Sequence, residues 1–426
     1  VNPPTHSPFA LDLDLLYELL EVERDLPPRY LLRRARQEGA VVSTLVLSLA
    51  EREGLALGEG ARGELARMTR RSDLYRELDA VVRAVPGART VKGPSLARYY
   101  PAGLLRAIGD LDVVVPDEVT LWRVLGEVLD RREAGEALMT ELREDGRRDL
   151  LVSVWWLGED PMLDLDRGVE VTTFAYGGLA ERAVPLRPEL PVEQVYADVL
   201  AIAEERFQRD FTLKDVLDLV CVLTSPAAPD PAALARVAAD YALAPELREL
   251  CGKATAHPAL AAAVPAELLD GLREPARLEE ARRTARGPLA QQPRHYGFQL
   301  TEPLRRGAGD AARDHDFGGV LLRRTPVADF LLVDGELVDP ADHEAALAAL
   351  SALAPWPERP APAVAPVPAP SPRALRHPAK DPANDPAEDQ VKNPAEGLAR
   401  DLARDVSHGA ARGSTAESPL PAGNGS

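Results

Sequence analysis

Cysteine is almost missing from this chain. Cys221 and Cys251 are the only two in 426 residues, and they form no C-x-x-C pair. A disulfide framework is therefore excluded, and the scarcity fits a reducing compartment. Both lie in apolar helical patterns and are expected as small buried thiols. Long apolar runs are missing too. The longest, residues 41–50, contains Ser and Thr and is too short to span a bilayer. Residues 1–7 show no basic segment followed by an apolar run, so neither a signal peptide nor a membrane segment is expected, and the protein reads as cytoplasmic. The seven histidines are scattered, with no H-E-x-x-H or comparable metal pair. His295 and His315 read as exposed loop residues. No G-x-S-x-G or Cys/His nucleophile arrangement occurs. Gly58-Glu59-Gly60-Ala61-Arg62-Gly63 matches G-x-G-x-x-G literally, but the segment before it looks helical. A dinucleotide site needs a strand there, so this is read as an interhelical turn. A net charge of −18 disfavours non-specific binding to nucleic acid or an anionic membrane.

What remains is a soluble globular composition, 45% hydrophobic and 28% charged, long enough for two or three domains. High Ala, Arg, Gly and Pro usage points to a GC-rich bacterial genome. Residues 1–86 read as a helical region, with Phe9, Leu11, Leu15, Leu16, Leu19 and Leu20 at helical spacing. Residues 87–185 change character. Short β-rich runs stand at 90–91, 111–115, 150–156 and 162–166, and a helix is expected over 118–132, which makes a small α/β unit. Residues 186–285 return to helix, strongly periodic over 192–207 and 212–223. Residues 286–354 are mixed. Asp334-Gly335 between apolar runs is a two-residue hairpin signal, and 341–353 reads as a closing helix. From residue 355 to 426 the chain is rich in Pro and Ala with few large apolar residues, and a disordered tail is expected. Trp122, Trp155 and Trp156 lie in core-like patterns, where packing is the expected role.

The chemistry concentrates in Asp110-Leu111-Asp112-Val113-Val114-Val115. Side chains alternate along a strand, so Asp110 and Asp112 share one face while Leu111 and Val113 point into a core. Two neighbouring carboxylates repel unless something positive sits between them, and the usual answer is a divalent metal such as Mg²⁺ or Mn²⁺. Upstream, Lys92-Gly93-Pro94-Ser95 opens a helical-looking segment. There Gly93 and Ser95 are placed to cradle phosphate. Lys92 reads either as a phosphate contact or as a surface lysine. Met162-Leu163-Asp164-Leu165-Asp166 repeats the apolar–acidic alternation, so Asp164 or Asp166 is eligible as a third carboxylate.

This arrangement resembles the DNA polymerase beta-like nucleotidyltransferase superfamily, in which a glycine-[glycine/serine] turn precedes an Asp-x-Asp strand and a later strand adds a third Asp. More narrowly it is similar to a bacterial uncharacterised nucleotidyltransferase family, through Lys92-Gly93, Tyr100-Pro101, Arg106 and Asp110-Leu111-Asp112. The His-Trp common after that family's later strand is absent; Arg167 follows Asp166. Phe211-Thr212-Leu213-Lys214-Asp215-Val216-Leu217-Asp218 is similar to the helix such proteins carry after the core. Lys214 and Asp215 read either as site residues or as a solvated helix face, and Arg106 as a loop clamp. The resemblance spans roughly residues 85–225.

The resemblance implies an α+β fold, with a small mixed-sheet nucleotidyltransferase core embedded in helical N-terminal and middle regions. It implies metal at Asp110, Asp112 and Asp164 or Asp166, and NTP phosphates at Lys92, Gly93, Ser95 and Lys214. The implied reaction moves a nucleoside monophosphate from an NTP to an acceptor hydroxyl with release of pyrophosphate. The acceptor is left open between a small molecule, a protein and tRNA. The alternative is a nucleotide- or protein-binding module without turnover, or a part of a toxin–antitoxin system.

Overall fold

A computed structural model describes residues 9–144, 147–160, 162–164, 166–289, 294–335 and 337–359. The chain begins with helices α1 (Leu13–Leu19), α2 (Pro28–Gln37), α3 (Ala40–Arg52) and α4 (Glu59–Arg83). The Asp12 carboxylate caps α1 by accepting the Leu15 N–H at 2.8 Å. Gly58 is the N-cap of α4 and Glu59 to Gly63 lie within that helix, so the literal G-x-G-x-x-G is a helix N-terminus rather than the interhelical turn expected, with no strand before it. Then come β1 (Arg89–Val91), α5 (Gly93–Ala97), β2 (Leu111–Val114), α6 (Glu118–Leu129), β3 (Glu136–Glu144), β4 (Arg147–Trp156) and β5 (Arg167–Thr172). A helical stretch follows: α7 (Gln194–Glu204), α8 (Leu213–Thr224), α9 (Pro231–Asp240), α10 (Ala244–Ala256), α11 (Pro258–Ala261) and α12 (Ala266–Arg286). The described chain closes with β6 (Arg294–Gln299), β7 (Arg313–Phe317), β8 (Val320–Arg324), β9 (Asp329–Val333) and α13 (Pro340–Ser351).

The strands form one nine-stranded mixed sheet in the order β1-β2-β5-β4-β3-β6-β9-β8-β7. Only β2 and β5 pair parallel among the described strands; the other neighbours are antiparallel. The early and late strands thus share a sheet although about 120 residues, including helices α7 to α12, separate β5 from β6 in sequence.

Alternation along the strands supplies two apolar faces. Leu111, Val113, Val152, Val154, Val169 and Val171 bury against α4 and α6, with Leu74, Tyr75, Leu78, Leu121 and Trp122. Val91 and Val114, on the other face, join the core of the helical regions, which holds Leu16, Leu45, Leu200, Leu217, Leu247 and both cysteines. Cys221 and Cys251 are free and buried, as expected. Among the described residues no helix is long and apolar enough to cross a membrane.

Three further expectations are corrected. Residues 162–164 form a turn instead of a strand. The Asp160 carboxylate accepts the Met162 N–H at 2.9 Å and its carbonyl accepts the Asp164 N–H at 2.7 Å, so these polar groups close on themselves. Pairing begins at Arg167 instead. Asp334-Gly335 leads into α13, not into a return strand. β9 is already paired on both sides, by β6 and β8, so a hairpin partner has no free edge. Finally, order continues past residue 355. Trp356 is 8% exposed, its indole N–H donates to the Ala308 carbonyl at 3.0 Å, and Arg359 pairs with Glu127 at 2.7 Å. The rest of the expected disordered tail, from 360 onward, lies outside the described residues.

Candidate functional site

Register brings the acidic residues together. Asp112 stands opposite Val91 on β1 and opposite Glu170 on β5, and Glu170 stands opposite Ser153 on β4. Directly opposed residues share a face, so Val91, Asp112, Glu170 and Ser153 make one row across four strands. Asp110 precedes the first paired residue of β2 and lies on the same face by alternation. The Ser153 hydroxyl donates to Glu170 Oε2 at 3.2 Å.

The strands carrying this row are fixed from behind by α4. The Arg71 guanidinium donates to the Ile108 carbonyl at 3.1 Å and to the Asp166 carbonyl at 2.9 Å. The Tyr75 hydroxyl donates to the Gly109 carbonyl at 2.9 Å and accepts the Gly168 N–H at 3.1 Å. One helix thereby holds the approaches to both β2 and β5, and with them the separation of Asp110, Asp112 and Glu170. The loop from Tyr100 to Asp110 is held from the other side. Arg106 forms a bidentate pair with Asp218 of α8 at 2.6 and 2.8 Å, and the Tyr100 hydroxyl donates to the same carboxylate at 2.8 Å. Arg106 is the loop clamp expected of it.

Lys92 enters the site in a conformation that costs energy, with φ of +54° for a residue with a Cβ. Its ammonium pairs with Glu205, just past α7, at 2.6 Å. It also interacts electrostatically with Asp112, Glu170 and Glu204. Gly93 follows with φ of +28°, and a Cβ there would lie 3.0 Å from the Asp110 carbonyl oxygen. Only glycine lets the turn approach the acidic strand this closely.

The electrostatics follow from crowding carboxylates in a recessed place. Burial, then the charge of Asp110, pushes the Asp112 carboxyl well above the usual carboxylate range, and Lys92 only partly opposes this. Burial likewise raises Glu170 to about 7, with Lys92 opposing and Asp110 adding. Glu205 goes the other way. Burial would raise it, but Lys92, Lys214 and Arg209 outweigh that and hold it at about 2.

The remaining sequence-predicted residues are placed as follows. Ser95 is fully buried, and its hydroxyl donates into the Asp198 carboxylate of α7, with oxygens at 2.6 and 2.8 Å. Its hydroxyl is therefore committed to α7. Lys214 on α8 pairs with Asp215 at 3.3 Å and Asp218 at 3.6 Å. Asp164 pairs with Arg67 of α4 at 3.1 Å and with Arg167 at 3.9 Å. Asp166 is exposed. The register position beside Asp112 belongs to Glu170, which sequence reasoning missed. Its signal was Val169-Glu170-Val171, an acidic residue between β-branched neighbours like Leu111-Asp112-Val113. Nothing in local spacing marks Glu204 or Glu205.

Asp110, Asp112 and Glu170 offer the hard oxygen donors that Mg²⁺ or Mn²⁺ takes, and burial together with the charge of Asp110 raises the carboxyls of Asp112 and Glu170, which a bound cation would oppose. The side chains are not already gathered: among the described residues no three Asp, Glu, His or Cys surround one metal position.

No family model and no curated protein matches the chain. Two solved structures from Helicobacter pylori do, a candidate nucleotidyltransferase and the protein JHP933. Each is 16% identical over 54% of this chain, covering 98% and 96% of theirs, with a TM-score of 0.26. At that score the likeness leaves the chemistry to be argued from the residues themselves.

Proposed function

We propose that this chain is a metal-dependent nucleotidyltransferase that moves a nucleoside monophosphate from an NTP to an acceptor hydroxyl. The observation that carries the reading is the register of Asp112 against Glu170, with Asp110 beside them on the same face. Asp110, Asp112 and Glu170 would hold Mg²⁺ or Mn²⁺, which when bound neutralises charge on the phosphate oxygens. Lys92, reaching from the glycine turn, is the cation that attracts the β- and γ-phosphates, with Lys214 behind it. Glu170 stands on the side of the row away from Lys92 and takes the proton of the attacking hydroxyl. The acceptor oxygen bonds to the α-phosphorus as the bond to the bridging oxygen breaks, and pyrophosphate leaves toward Lys92.

The test is incubation of the full chain with each α-phosphate-labelled NTP, Mg²⁺ and a cell lysate. Label transfer and pyrophosphate release are expected from the wild type and not from Asp112→Asn. Undiminished transfer by that variant refutes the reading.

A second reading has its own observation. Lys92 is already paired with Glu205, and among the described residues no three ligands surround one position. On this reading the row is a static charge network and the chain binds nucleotide or a protein without turnover. Nucleotide retained by the protein with no pyrophosphate formed favours it.

A further inference from the structure

The acidic row is one end of a longer stretch of the same sheet face. Beyond Glu170 and Ser153 the row continues to Leu138 on β3 and Phe298 on β6, and the next row runs through Thr140 and Tyr296. In the row on the other side, Trp155 faces Gly168. At one end, helix-packed Val91 and Val114 cover the face; at the other, α13 packs Ala346 onto Leu322 and Leu331. Between them, Trp155, Leu138, Tyr296 and Phe298 belong to no apolar cluster of the described residues. Leu138 is 38% exposed and the three aromatic rings are half-buried. Large apolar side chains left in this state beside a polar site are characteristic of a ligand surface.

Trp155 adds a second observation. Its six-membered ring lies over Gly168, where a Cβ would come within 2.7 Å of Cε3 and Cζ3, so glycine leaves the indole room to lie down beside the acidic strands. Its indole N–H is enclosed and has no hydrogen-bond partner among the described residues. A buried donor without a partner is costly, and a ligand acceptor atom relieves it.

The direction of the reaction says what comes here. In an in-line displacement the attacking and leaving oxygens lie on opposite sides of the phosphorus. Lys92, Lys214 and Arg209 gather around Glu205, on the β1 and α7 side, which suits a departing polyanion. The attacking hydroxyl then arrives from the opposite side, across Glu170 and over β4, β3 and β6. Around Trp155 that stretch presents rings, Leu138, Thr140 and Ser153; the cations of the same face, Arg294 and Arg147, stand at its far end, in rows shared with Asp149 and Glu144, in a chain of net charge −18. A polyanionic acceptor finds no cation in the rows of Trp155, Leu138 and Tyr296.

Resting on the nucleotidyltransferase reading, we infer that this open face is the acceptor subsite, and that the acceptor is a neutral molecule with a planar aromatic ring beside its hydroxyl. The ring stacks on Trp155 and Phe298, and a polar atom of the acceptor receives the indole N–H.

The probe is methylumbelliferyl glucoside, a neutral planar ring carrying hydroxyls. Its binding to the full chain is followed by fluorescence anisotropy without nucleotide, so the measurement does not depend on turnover. Wild type and Asp112→Asn are expected to bind it equally. Trp155→Ala and Phe298→Ala each weaken binding about tenfold or more, the scale of one lost ring stack. Trp155→Phe, which keeps a ring and loses the donor, falls between. Should Trp155→Ala fail to fold, Phe298→Ala and Trp155→Phe carry the test. No binding by the wild type, or binding indifferent to these substitutions, overturns the inference. So does a homopolymer RNA that displaces the probe, because the face then takes a polyanion. Variant-sensitive probe binding with no pyrophosphate release from any NTP leaves the aromatic subsite standing and removes the nucleotidyltransferase reading alone.

Discussion

Asp112 on β2 and Glu170 on β5 face each other across the parallel strand pair of the sheet. Parallel neighbours lie about 4.8 Å apart, so the two carboxylates cannot avoid each other. The fold does not relax this by moving the strands, because Arg71 and Tyr75 tie both of them to α4. It answers instead with a cation, Lys92, held in a strained backbone conformation. Acidic groups kept close against their mutual repulsion are a hallmark of sites that take up positive charge.

That relationship separates Glu170 from its sequence competitors. Glu170→Gln keeps the shape and the Ser153 hydrogen bond but loses the charge and the base. Transfer activity is expected to fall about 100-fold or more, the usual contribution of a positioned base. Asp164→Asn disturbs only the pairs with Arg67 and Arg167, and transfer is expected to change little. Steady-state pyrophosphate release measured for both variants decides between them; the reverse order returns the third carboxylate to Asp164.

How much of this was legible follows from what local pattern encodes. Alternation exposed the Asp110 and Asp112 face, because strand period is a local property. The glycine turn was legible too, since Gly93 is needed where a Cβ would meet the Asp110 carbonyl. A strand was expected at the candidate third carboxylate because Met162-Leu163-Asp164-Leu165-Asp166 alternates as well as any strand. Only the turn bonds of Asp160 and the start of pairing at Arg167 reveal otherwise. Ser95 looked like a phosphate hydroxyl because its partner, Asp198, lies 103 residues away. The nine-stranded sheet was equally hidden, since β3 meets β6 across the whole helical stretch. Long-range pairings of this kind leave no periodicity to read.

Glu204 gives a prediction in pH. Its carboxylate accepts the Gly177 N–H at 2.6 Å, yet burial raises its pKa from 4.5 to about 7, with Lys92 and the backbone bonds opposing. The folded state therefore holds this proton more tightly than the unfolded chain does. Folding takes up a proton between about pH 4.5 and about pH 7, so this group's contribution makes stability fall as pH rises through that window and level off above it. Glu204→Gln still offers an oxygen to Gly177 and cannot titrate. Its melting temperature relative to wild type is expected to climb across that window and then stay constant. A difference independent of pH contradicts the assignment.

The Arg106–Asp218 pair is a stability device at the site's edge. Arg106 is 3% exposed and Asp218 fully buried. Breaking a buried pair strands a charge, so Arg106→Met is expected to cost about 3–5 kcal/mol in urea denaturation. Replacing both, with Arg106→Met and Asp218→Leu, should recover much of that loss, because no uncompensated charge remains. A double variant no better than the single one would show that the pair's value lies in hydrogen bonds to Tyr100 and the 100–110 loop, not in charge.

The strap at residues 355–359 gives a last prediction, and one that sequence composition argues against. Trp356 is ringed by the guanidinium groups of Arg313 at 4.8 Å, Arg305 at 5.1 Å and Arg324 at 5.8 Å. Its ring occupies the space that a Cβ on Gly307 would need, within 2.5 Å of Cδ1 and Nε1. Backbone bonds flank it, from Ala308 to the Pro357 carbonyl at 2.7 Å and from Arg359 to the Arg306 carbonyl at 2.8 Å. Beyond it Arg359 reaches Glu127 and Asp130 of the α6 region at 2.7 and 3.2 Å. The strap thus joins the late strands to the helix that backs β5. Trp356→Ala removes a buried aromatic and three cation–π partners, and is expected to cost about 3–5 kcal/mol. Trp356→Phe keeps the ring and loses only the bond to Ala308, a cost of about 1 kcal/mol. Chemical denaturation of the two variants reads both values. Equal and negligible losses would mean that residues 355–359 do not pack, and that order ends before the strap as the proline-rich composition suggests.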